Sequence, residues 1–374
     1  MKILAIESSC DETAAAVVTE INKKPVVLSN VVSSQIDLHK RYGGVVPEVA
    51  ARAHIESIIP VIEESLEKAN TKIEEIDNLA VTSGPGLIGS LVVGVETAKA
   101  ISVALGIPLV PVNHLEGHIY ATFGSEFKIL NSKFKNRNSK YEIQNTVPKF
   151  PVLTLLVSGG NTLLILMKDH LQYEVLGQTI DDAAGEAFDK GAKLMNLDYP
   201  GGPIISERAK KGDENKYKLP IIDLTEKPTR GKDGFMNHPE ASLNFSFSGL
   251  KTALLNIIKG LPKLSEKTIN DLCASYQKAI VDTLIQNSMR AIKKYEPKTF
   301  VLAGGVAANP MLRERLGQAI ESSSPITSYL IPPTSLCGDN AAMIGIAAYY
   351  KIRNSKFEIR NSSEAIAVPN LKIV

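Results

Sequence analysis

The chain has few cysteines and no long apolar run. Its three cysteines, Cys10, Cys273 and Cys337, lie far apart among 374 residues. Such a set fits neither a disulfide framework nor a Cys-x-x-Cys zinc site, and it favours a reducing compartment. Mainly apolar runs such as Val152–Val157 stop well short of the roughly 20 residues that a membrane span requires. The sequence therefore predicts a soluble, cytoplasmic protein without a membrane contact.

A large excess of charge of one sign is also missing. The chain carries 42 basic and 40 acidic residues, a formal net charge of +2. Bulk charge therefore does not indicate a nucleic-acid partner, and any RNA contact must come from local clusters. The opening MKILAIESS is too briefly apolar for a signal peptide and predicts a first β-strand. With 44% hydrophobic residues, the chain is long enough for two domains with separate cores.

Three motifs of nucleotide and protease sites are absent or incomplete. No G-x-x-x-x-G-K-[ST] sequence occurs, which excludes a P-loop. Residues 84–89 match G-x-G-x-x-G, but the next strand ends with Val112 and Asn113 instead of an acid, so we interpret these glycines as close helix-to-sheet packing. In HLEGH, residues 114–118, the glutamate does not directly follow the first histidine. A zinc protease would therefore lack its general base.

Hydrophobic periodicity predicts the same order of elements twice, a meander of strands followed by helices. This two-lobed plan, with a cleft between the lobes, is close to the duplicated architecture of sugar kinases and actin. The predicted strands are 3–6, 14–18, 25–32, 79–81, 109–112, 152–157, 162–167 and 300–303, and the predicted helices are 47–69, 91–105, 183–196, 271–295 and 340–350. We divide the chain into an N-terminal lobe (1–126), a basic insertion (127–150), a C-terminal lobe with a helical insertion (151–350) and a tail (351–374).

Two segments differ in composition from the rest. Residues 131–139 read NSKFKNRNS and residues 354–362 read NSKFEIRNS, a near-copy, and both are interpreted as exposed additions. A solvated insertion without a role is favoured over a basic loop that contacts RNA. The basic side chains in and beside the first segment are Lys128, Lys133, Lys135, Arg137 and Lys140.

A pair of histidines follows a predicted strand. His114 and His118 are spaced i and i+4, so on a helix both rings point the same way and can share one metal ion. The chain has six histidines, and finding two at a strand end favours a ligand role over chance. Asp339, just before the last predicted helix, is either the third ligand or the N-cap of that helix, and the spacing leaves both open.

Two glycine turns predict contacts to a nucleotide. Residues 157–162, VSGGNT, form a turn between strands where backbone N–H groups can approach a phosphate, although a plain hairpin explains the same letters. Residues 303–309, AGGVAAN, place a second glycine turn between a strand and a helix. Two such loops in one chain support each other.

Acidic residues form two further candidate groups. Asp182, Glu186 and Asp189 lie on neighbouring faces of one predicted helix and could hold ribose hydroxyls. N-capping by Asp181 together with a solvated acidic face is an equal alternative.

The turn between the first two strands carries Asp11 and Glu12. Because this turn is equivalent to the glycine turn of residues 157–162, both turns can face one cleft, and we assign a catalytic role toward a metal or an amine to these acids. A polar turn needs no such purpose.

Ten short stretches, in order between Ile6 and Ile344, carry a family resemblance. They are IESSCDETA, HKRYGGVVPEVAARAHIE, SGPGLIGSL, NHLEGHI, LVSGGNT, IDDAAGEAFDK, YPGG, FSFSGLKT, AGGVAAN and GDNAAMI. Together they resemble the bacterial TsaD family of tRNA adenosine threonylcarbamoyltransferases. Residues 131–149 and the stretch after Lys351 lie outside the family pattern.

The resemblance implies a fold and a reaction. The fold is α/β, the duplicated actin-like ATPase (ASKHA, ribonuclease H-like) fold of two lobes with a central cleft. The reaction moves the threonylcarbamoyl group of threonylcarbamoyl-adenylate to the exocyclic amine of the adenosine adjacent to the anticodon, in tRNAs reading codons that start with adenine, and releases AMP. An ATP-dependent small-molecule kinase of the same fold is the alternative.

The resemblance also implies site residues, a cofactor and partners. One divalent metal per subunit is expected, Fe²⁺ first and Zn²⁺ or Mg²⁺ otherwise, with His114, His118 and Asp339 as its ligands. The expected partners are tRNA, a TsaB-like paralogue and a TsaE-like ATPase. The residues that match the donor-nucleotide positions are Leu156, Val157, Ser158, Gly159, Gly160, Asp189, Gly202 and Asn309.

Overall fold

The computed structural model describes residues 1–124, 148–224, 242–354 and 365–373, and the backbone of 229–230 and 236–237. Nearly all of the predicted basic insertion 127–150, with its five basic side chains, lies outside the described residues. Residues 355–364 of the predicted tail also lie outside the described residues. The chain divides into two compact units. Unit 1 comprises Met1–Lys149, Asp169–Gln172 and Leu330–Val374, and unit 2 comprises Phe150–Lys168 and Tyr173–Tyr329.

Each unit is built on a five-stranded mixed sheet. The described strands are β1 (Lys2–Glu7), β2 (Glu12–Ile21), β3 (Lys24–Ser34), β4 (Asn78–Gly84), β5 (Leu109–Asn113), β6 (Val152–Val157), β7 (Thr162–Asp169), β8 (Gln172–Gln178), β9 (Thr229–Arg230), β10 (Met236–Asn237), β11 (Thr299–Ala303) and β12 (Ser328–Leu330). The strand order is β3-β2-β1-β4-β5 in the first sheet and β8-β7-β6-β11-β12 in the second, while β9 and β10 form a separate pair. In both sheets the central strand pairs antiparallel on one side and parallel on the other. The second sheet therefore repeats the first, as the sequence predicted.

Helices flank both sheets. They are α1 (Ile36–Lys40), α2 (Pro47–Lys68), α3 (Ile88–Leu105), α4 (His114–Tyr120), α5 (Ala184–Leu194), α6 (Gly201–Ala209), α7 (Ser248–Lys259), α8 (Glu266–Tyr295), α9 (Pro310–Ser323) and α10 (Ala341–Arg353), with 3₁₀ turns at Ile73–Glu75, Gly305–Ala308 and Thr334–Leu336. Every predicted helix and strand is present with ends shifted by a few residues. The periodicity missed α1, α6, α7, β8 and the short strands β9, β10 and β12, while α9 is the helix expected after the glycine turn of residues 303–309.

The first sheet is buried on both faces. Along β1, Leu4 and Ile6 point into the core formed with α2 and α3, and by strand alternation Ala5 points to the other face. There α10 lies so close that a Cβ on Gly345 would be 2.5 Å from Val18. A strand covered on both faces reads as a continuous apolar run, which explains the sequence KILAIE.

The end of the chain belongs to unit 1, which differs from the predicted division. The last helix was placed in the C-terminal lobe 151–350, but α10 packs on β1, β2 and β3, and Ala342 N donates to Asn30 Oδ1 at 3.1 Å. The segment 365–373, predicted as part of an exposed tail, is also packed. Val368 N donates to Ser83 O at 2.7 Å, and Gly86 N donates to Pro369 O at 3.1 Å.

The glycines of residues 84–89 serve close packing, but at Gly84 and Gly86 the close contacts are made by the loop itself and not between a helix and the sheet as predicted. Gly84 has φ +147°, and a Cβ on it would lie 1.9 Å from Val368 O. A Cβ on Gly86 would lie 2.5 Å from Ser9 O. The loop after β4 is therefore pressed against both the β1–β2 turn and segment 365–373.

One described helix is long and apolar enough to cross a membrane. Helix α3 has a mean hydropathy of 1.6 over 18 residues. Its Val95 and Ala98 belong to the core of unit 1. A core helix meets the same criterion by length and composition.

Candidate functional site

Three ligand-type side chains of unit 1 converge. One ligand atom from each of His114, His118 and Asp339 lies within 4.8 Å of the others. Asp339 Oδ1 is 3.2 Å from His118 Nε2 and 3.5 Å from His114 Nε2. The imidazole centroids are 4.7 Å apart, with the rings nearly perpendicular at 83°. The predicted meeting of two imidazoles and one distant carboxylate is found.

Local structure explains how these side chains are presented. Helix α4 follows β5 without a loop, because Asn113 caps it by accepting from Leu115 N at 2.8 Å. Helix α10 is capped by Asn340, which accepts from Met343 N at 3.0 Å. The alternative interpretation of Asp339 as the N-cap is therefore wrong. The neighbouring asparagine takes that role and leaves the Asp339 carboxylate available as a ligand.

The two imidazoles differ in the contacts of their ring nitrogens. His114 Nδ1 is 3.2 Å from Glu7 Oε2 and 3.1 Å from Ser9 Oγ. Both ring nitrogens of His118 are buried and form no hydrogen bond of good geometry among the described residues, although Nε2 faces Asp339 Oδ1 at 3.2 Å. A buried polar nitrogen without a partner is costly unless a ligand satisfies it. A metal ion at His118 Nε2 would do so, and the residues present therefore fit the expected metal.

Electrostatics at the triad favour a positive charge. Burial alone would lower the pKa of His114, but Asp339 and Glu7 outweigh burial and raise it to about 9. Burial works to raise the pKa of Asp339, but His114 and His118 lower it to about 2. The carboxylates therefore draw either a proton or a metal cation to the imidazoles. Two nitrogens and one oxygen leave coordination positions open for substrate.

The middle glutamate of HLEGH takes no part in the triad. Glu116 Oε2 is 2.7 Å from Lys351 Nζ, and both residues are buried. This pair ties α4 to α10. The predicted absence of a protease-type general base agrees with this geometry.

Asp11 lies in the turn after β1, and Glu12 is the first residue of β2 and lies within electrostatic range of Asp339. Asp11 is 8% exposed, and Glu12 Oε1 accepts from Ser34 Oγ at 3.2 Å. Burial, the Asp339 charge and the Asp11 charge raise the pKa of Glu12 to about 10. Glu12 is therefore protonated at neutral pH in the metal-free protein. A divalent cation nearby would favour its ionised form.

Unit 2 carries a cavity of about 420 Å³. Four of the predicted nucleotide residues line it, namely Gly159, Asp189, Gly202 and Asn309. The other four do not. The side chains of Leu156 and Val157 are fully buried in β6, while Ser158 and Gly160 lie in the turn beside the cavity lining. Phe188, Tyr199 and Gly305, which also line the cavity, lie in the IDDAAGEAFDK, YPGG and AGGVAAN stretches, whereas the lining residues Ser206 and Glu207 were not singled out from the sequence.

The glycines around this cavity are of two kinds. Gly304 has φ +89°, and a Cβ on it would lie 2.4 Å from Val157 O, so the protein itself requires glycine there. A Cβ on Gly159 or Gly305 would meet no atom of the described residues within 4 Å. Both of these open glycines line the cavity. The space they leave is available to a ligand.

Asp189 and Asn309 hold the cavity walls through hydrogen bonds. Asp189 Oδ1 accepts from Gly201 N at 2.7 Å, at the start of α6. Asn309 Oδ1 accepts from Leu312 N at 3.1 Å, which caps α9, and its Nδ2 donates to Gln277 Oε1 at 2.8 Å. Both side chains therefore fix helix starts beside the cavity.

The remaining acids of the α5 region have protein partners. Lys190 Nζ lies 2.6 Å from Asp182 and 2.9 Å from Glu186. Asp181 does not cap α5, whose N-cap is Ala183. It accepts instead from Ser246 Oγ at 2.5 Å and from Phe247 N at 2.8 Å. The predicted N-cap role of Asp181 is wrong, because its carboxylate binds the segment that leads into α7.

Comparison with solved structures supports the fold. Full-length HypF in its phosphate- and nucleotide-bound form is similar with a TM-score of 0.55 at 13% identity, over 96% of this chain and 47% of the HypF chain. At that identity the likeness shows the fold alone, and this chain spans about half of that solved chain. Together with the repeated sheets, it confirms the predicted duplicated α/β fold.

Curated relatives match nearly the whole chain. A protein of Dehalococcoides mccartyi (strain BAV1) is 48% identical over 357 residues, 95% of this chain and 95% of its own. A protein of Listeria monocytogenes serotype 4b (strain CLIP80459) is 45% identical over 362 residues, 96% and 94% of the two chains. Both are named tRNA N6-adenosine threonylcarbamoyltransferase. The family model described as "TsaD: tRNA N6-adenosine threonylcarbamoyltransferase" matches residues 26–130 and 137–346. The chain therefore belongs to the TsaD family of tRNA N6-adenosine threonylcarbamoyltransferases.

Proposed function

We propose that this protein transfers the threonylcarbamoyl group of threonylcarbamoyl-adenylate to the exocyclic amine of the adenosine adjacent to the anticodon, in tRNAs that read codons starting with adenine. AMP is released, and the reaction takes place in the cytoplasm. Beyond family membership, one observation carries the proposal: the convergence of His114, His118 and Asp339 within 4.8 Å. The kinase alternative is not supported, since the relatives described above carry the transferase name.

The metal of the proposal is one Fe²⁺ per subunit. The two imidazoles and one carboxylate form the donor set that is typical of non-haem Fe²⁺. Zn²⁺ accepts the same donors, whereas Mg²⁺ prefers an all-oxygen shell and fits this set least well. When bound, the divalent ion supplies Lewis acidity that polarises a carbonyl or phosphoryl oxygen of the substrate.

The adenylate part of the donor is assigned to the cavity of unit 2. Its volume of about 420 Å³ falls in the ordinary range for small-molecule sites. The backbone at the open glycines Gly159 and Gly305 lets a phosphate or ribose approach closely. Residues 156–160 supply the turn, while Asp189, Gly202 and Asn309 complete the walls. Binding there orients the donor and keeps AMP in place until it leaves.

The acid–base work is assigned to Asp11 and Glu12. The amine nitrogen attacks the carbonyl carbon of the donor, the bond from that carbon to the phosphate oxygen breaks, and AMP departs with the electron pair. The proton of the amine passes to one of the two carboxylates. AMP is a good leaving group, so no covalent intermediate on the protein is required.

Partner proteins belong to the same proposal. The substrate is tRNA, and the TsaD family acts on tRNA. We assign a TsaB-like paralogue and a TsaE-like ATPase as partners on the basis of the family resemblance. The assay below therefore contains both.

Reconstitution tests the proposal. Purified protein is incubated with labelled threonine, bicarbonate, ATP, the donor-making enzyme, both partners and unmodified tRNA, and label is expected in the RNA. The double variant His114→Ala, His118→Ala should lose bound metal and transfer together. His170→Ala, a histidine outside the triad, is the control. Label transfer at full rate by the double variant would reject the metal role, and phosphotransfer to a small molecule without tRNA would favour the kinase.

A further inference from the structure

A buried carboxylate lies directly behind the triad. Glu7, the last residue of β1, is 0% exposed. Its Oε2 lies 3.2 Å from His114 Nδ1 and accepts from Thr82 Oγ1 at 2.5 Å, while its Oε1 accepts from Ser9 N at 2.5 Å. Neither the sequence reasoning nor the family resemblance singled out this residue.

Glu7 lies in β1, and one of its hydrogen-bond donors, Thr82, lies in the neighbouring strand β4. Strands β1 and β4 pair in parallel with Ile6 opposite Val81, so Thr82 stands beside Glu7 at the same edge of the sheet. The edge is the one from which the β1–β2 turn leaves. The carboxylate therefore has a fixed position that does not depend on a mobile loop.

The contact determines which nitrogen of His114 carries hydrogen. An ionised carboxylate only accepts hydrogen bonds, so the 3.2 Å contact with Glu7 is satisfied when His114 Nδ1 carries the hydrogen. Ser9 Oγ, 3.1 Å from the same nitrogen, can accept from that hydrogen as well. In the neutral ring the lone pair then lies on Nε2, which is the nitrogen facing Asp339 at 3.5 Å. His118 has no equivalent contact behind its ring, since its Nδ1 has no hydrogen-bond partner among the described residues, while its Nε2 faces Asp339 Oδ1 at 3.2 Å.

We infer that Glu7 is a positioning residue of the metal centre, which fixes the tautomer and orientation of His114 and strengthens that imidazole as a ligand. This inference rests on the metal site of the proposed function. It makes the two histidines unequal. His114 is held from behind by Glu7 before the metal arrives, whereas His118 is held only on the side that faces Asp339 and the metal.

Glu7→Gln tests the inference with readouts that need no catalysis. Zn²⁺ affinity, measured by competition with a chromophoric chelator, should fall about 10- to 100-fold, as expected for loss of such a supporting contact. The visible absorption of the Co²⁺-substituted protein should shift, and Glu7→Asp, which keeps the charge, should recover part of the affinity. The matched control is Glu116→Gln, because this buried acid sits between the histidines but pairs with Lys351. It should leave affinity and spectrum unchanged within about twofold.

Two further variants keep the test decisive. Where Glu7→Gln fails to fold, Thr82→Val removes one hydrogen bond to Glu7 and should still weaken Zn²⁺ binding, by less than Glu7→Gln. Unchanged affinity and an unchanged Co²⁺ spectrum in the foldable variants would overturn the inference, even where stability falls. His118→Ala separates this result from failure of the proposed function, because undiminished Zn²⁺ binding by His118→Ala would reject the metal site as a whole.

Discussion

The turns after the central strands of the two sheets occupy the same topological place and have opposite chemistry. The β1–β2 turn, residues 8–11, follows the buried Glu7 and is itself largely buried. The β6–β7 turn, residues 158–161, exposes two glycines. Duplication has preserved the strand order of the sheet, while the side chains at this one position have made an anionic, buried turn in one unit and an open backbone turn in the other.

Packing around each turn explains the difference. Helix α3 approaches the first turn so closely that a Cβ on Gly94 would lie 2.3 Å from Ser8 Oγ. A Cβ on Gly159 or Gly160 in the second turn would meet no atom of the described residues within 4 Å. A crowded acidic turn can support a cation site, whereas an open glycine turn can receive a ligand against its backbone. The comparison therefore supports the proposal that metal chemistry belongs to unit 1 and nucleotide binding to unit 2.

Removing the metal should have the largest effect and should separate the roles of the two units. Dialysis against a chelator is expected to lower threonylcarbamoyl transfer by at least about 100-fold, since polarisation by a metal contributes several kcal/mol to such reactions. AMP affinity, measured by calorimetry, should stay within about twofold because the cavity lining contains no triad residue. Readdition of Fe²⁺ is the control. A parallel loss of AMP affinity would show that the metal also holds the nucleotide.

Adjacent glycines in unit 2 provide a matched pair. Gly304→Ala should lower the free energy of unfolding by roughly 2 to 4 kcal/mol, because it combines a positive φ with a backbone clash. Gly305→Ala should change it by less than about 1 kcal/mol and should instead weaken AMP binding, by about tenfold. Urea unfolding and calorimetry separate the two effects. Gly305→Ala with unchanged AMP affinity would contradict the assignment of Gly305 to the ligand.

Local pattern predicted much of this architecture. Alternation and helical spacing identified the strands of both sheets and the histidine pair, because those signals lie within a few residues. The position of α10 was not predictable in that way, since its apolar surface does not say which of two sheets it covers. Likewise, Asp339 and Asn340 are adjacent residues of the two best capping types, and only the structure shows that Asn340 caps.

Other parts of the site left weak signals in the sequence. Glu7 ends an apolar strand, and an acid there has no local feature that distinguishes a buried hydrogen-bonded carboxylate from a solvated one. Gly304 and Gly305 are identical neighbours in the sequence. A Cβ would clash at Gly304 and fit at Gly305, and the clash is with Val157, which is distant in the sequence. The YPGG stretch did point to Tyr199 and Gly202, although its residues carried no chemistry of their own.

The pH dependence of the metal-free protein should reveal the buried charges of unit 1. His114 has its pKa raised from 6.5 to about 9, so its stabilising contribution is complete below pH 6.5 and is lost as pH rises through 9. Asp339 has its pKa lowered from 3.8 to about 2, so its contribution is present above pH 3.8 and is lost as pH falls through 2. The attraction between His114 and Asp339 contributes to both pKa shifts, so the two contributions to stability are not added. Stability should be highest between these limits.

The expected loss between pH 6 and pH 9.5 is at most about 3 kcal/mol, since one pKa unit corresponds to about 1.4 kcal/mol. Urea unfolding of chelator-treated protein at the two pH values measures it. His114→Gln removes the titrating group and should flatten that limb of the curve. An equal loss in His114→Gln would assign the pH dependence to other groups.

The smallest effect is expected for the acids of α5 that do not line the cavity. Glu186→Gln should change AMP affinity by less than about twofold, because its carboxylate is 46% exposed and pairs with Lys190 at 2.9 Å, and exposed pairs contribute at most about 1 kcal/mol. Asp189→Asn, on the same helix, should weaken AMP binding more, since Asp189 lines the cavity and orders the start of α6. Calorimetric titration of both variants with AMP measures the difference in affinity. Equal losses would mean that the ribose is held by the acidic face of α5, and the nucleotide site would then extend beyond the open glycines.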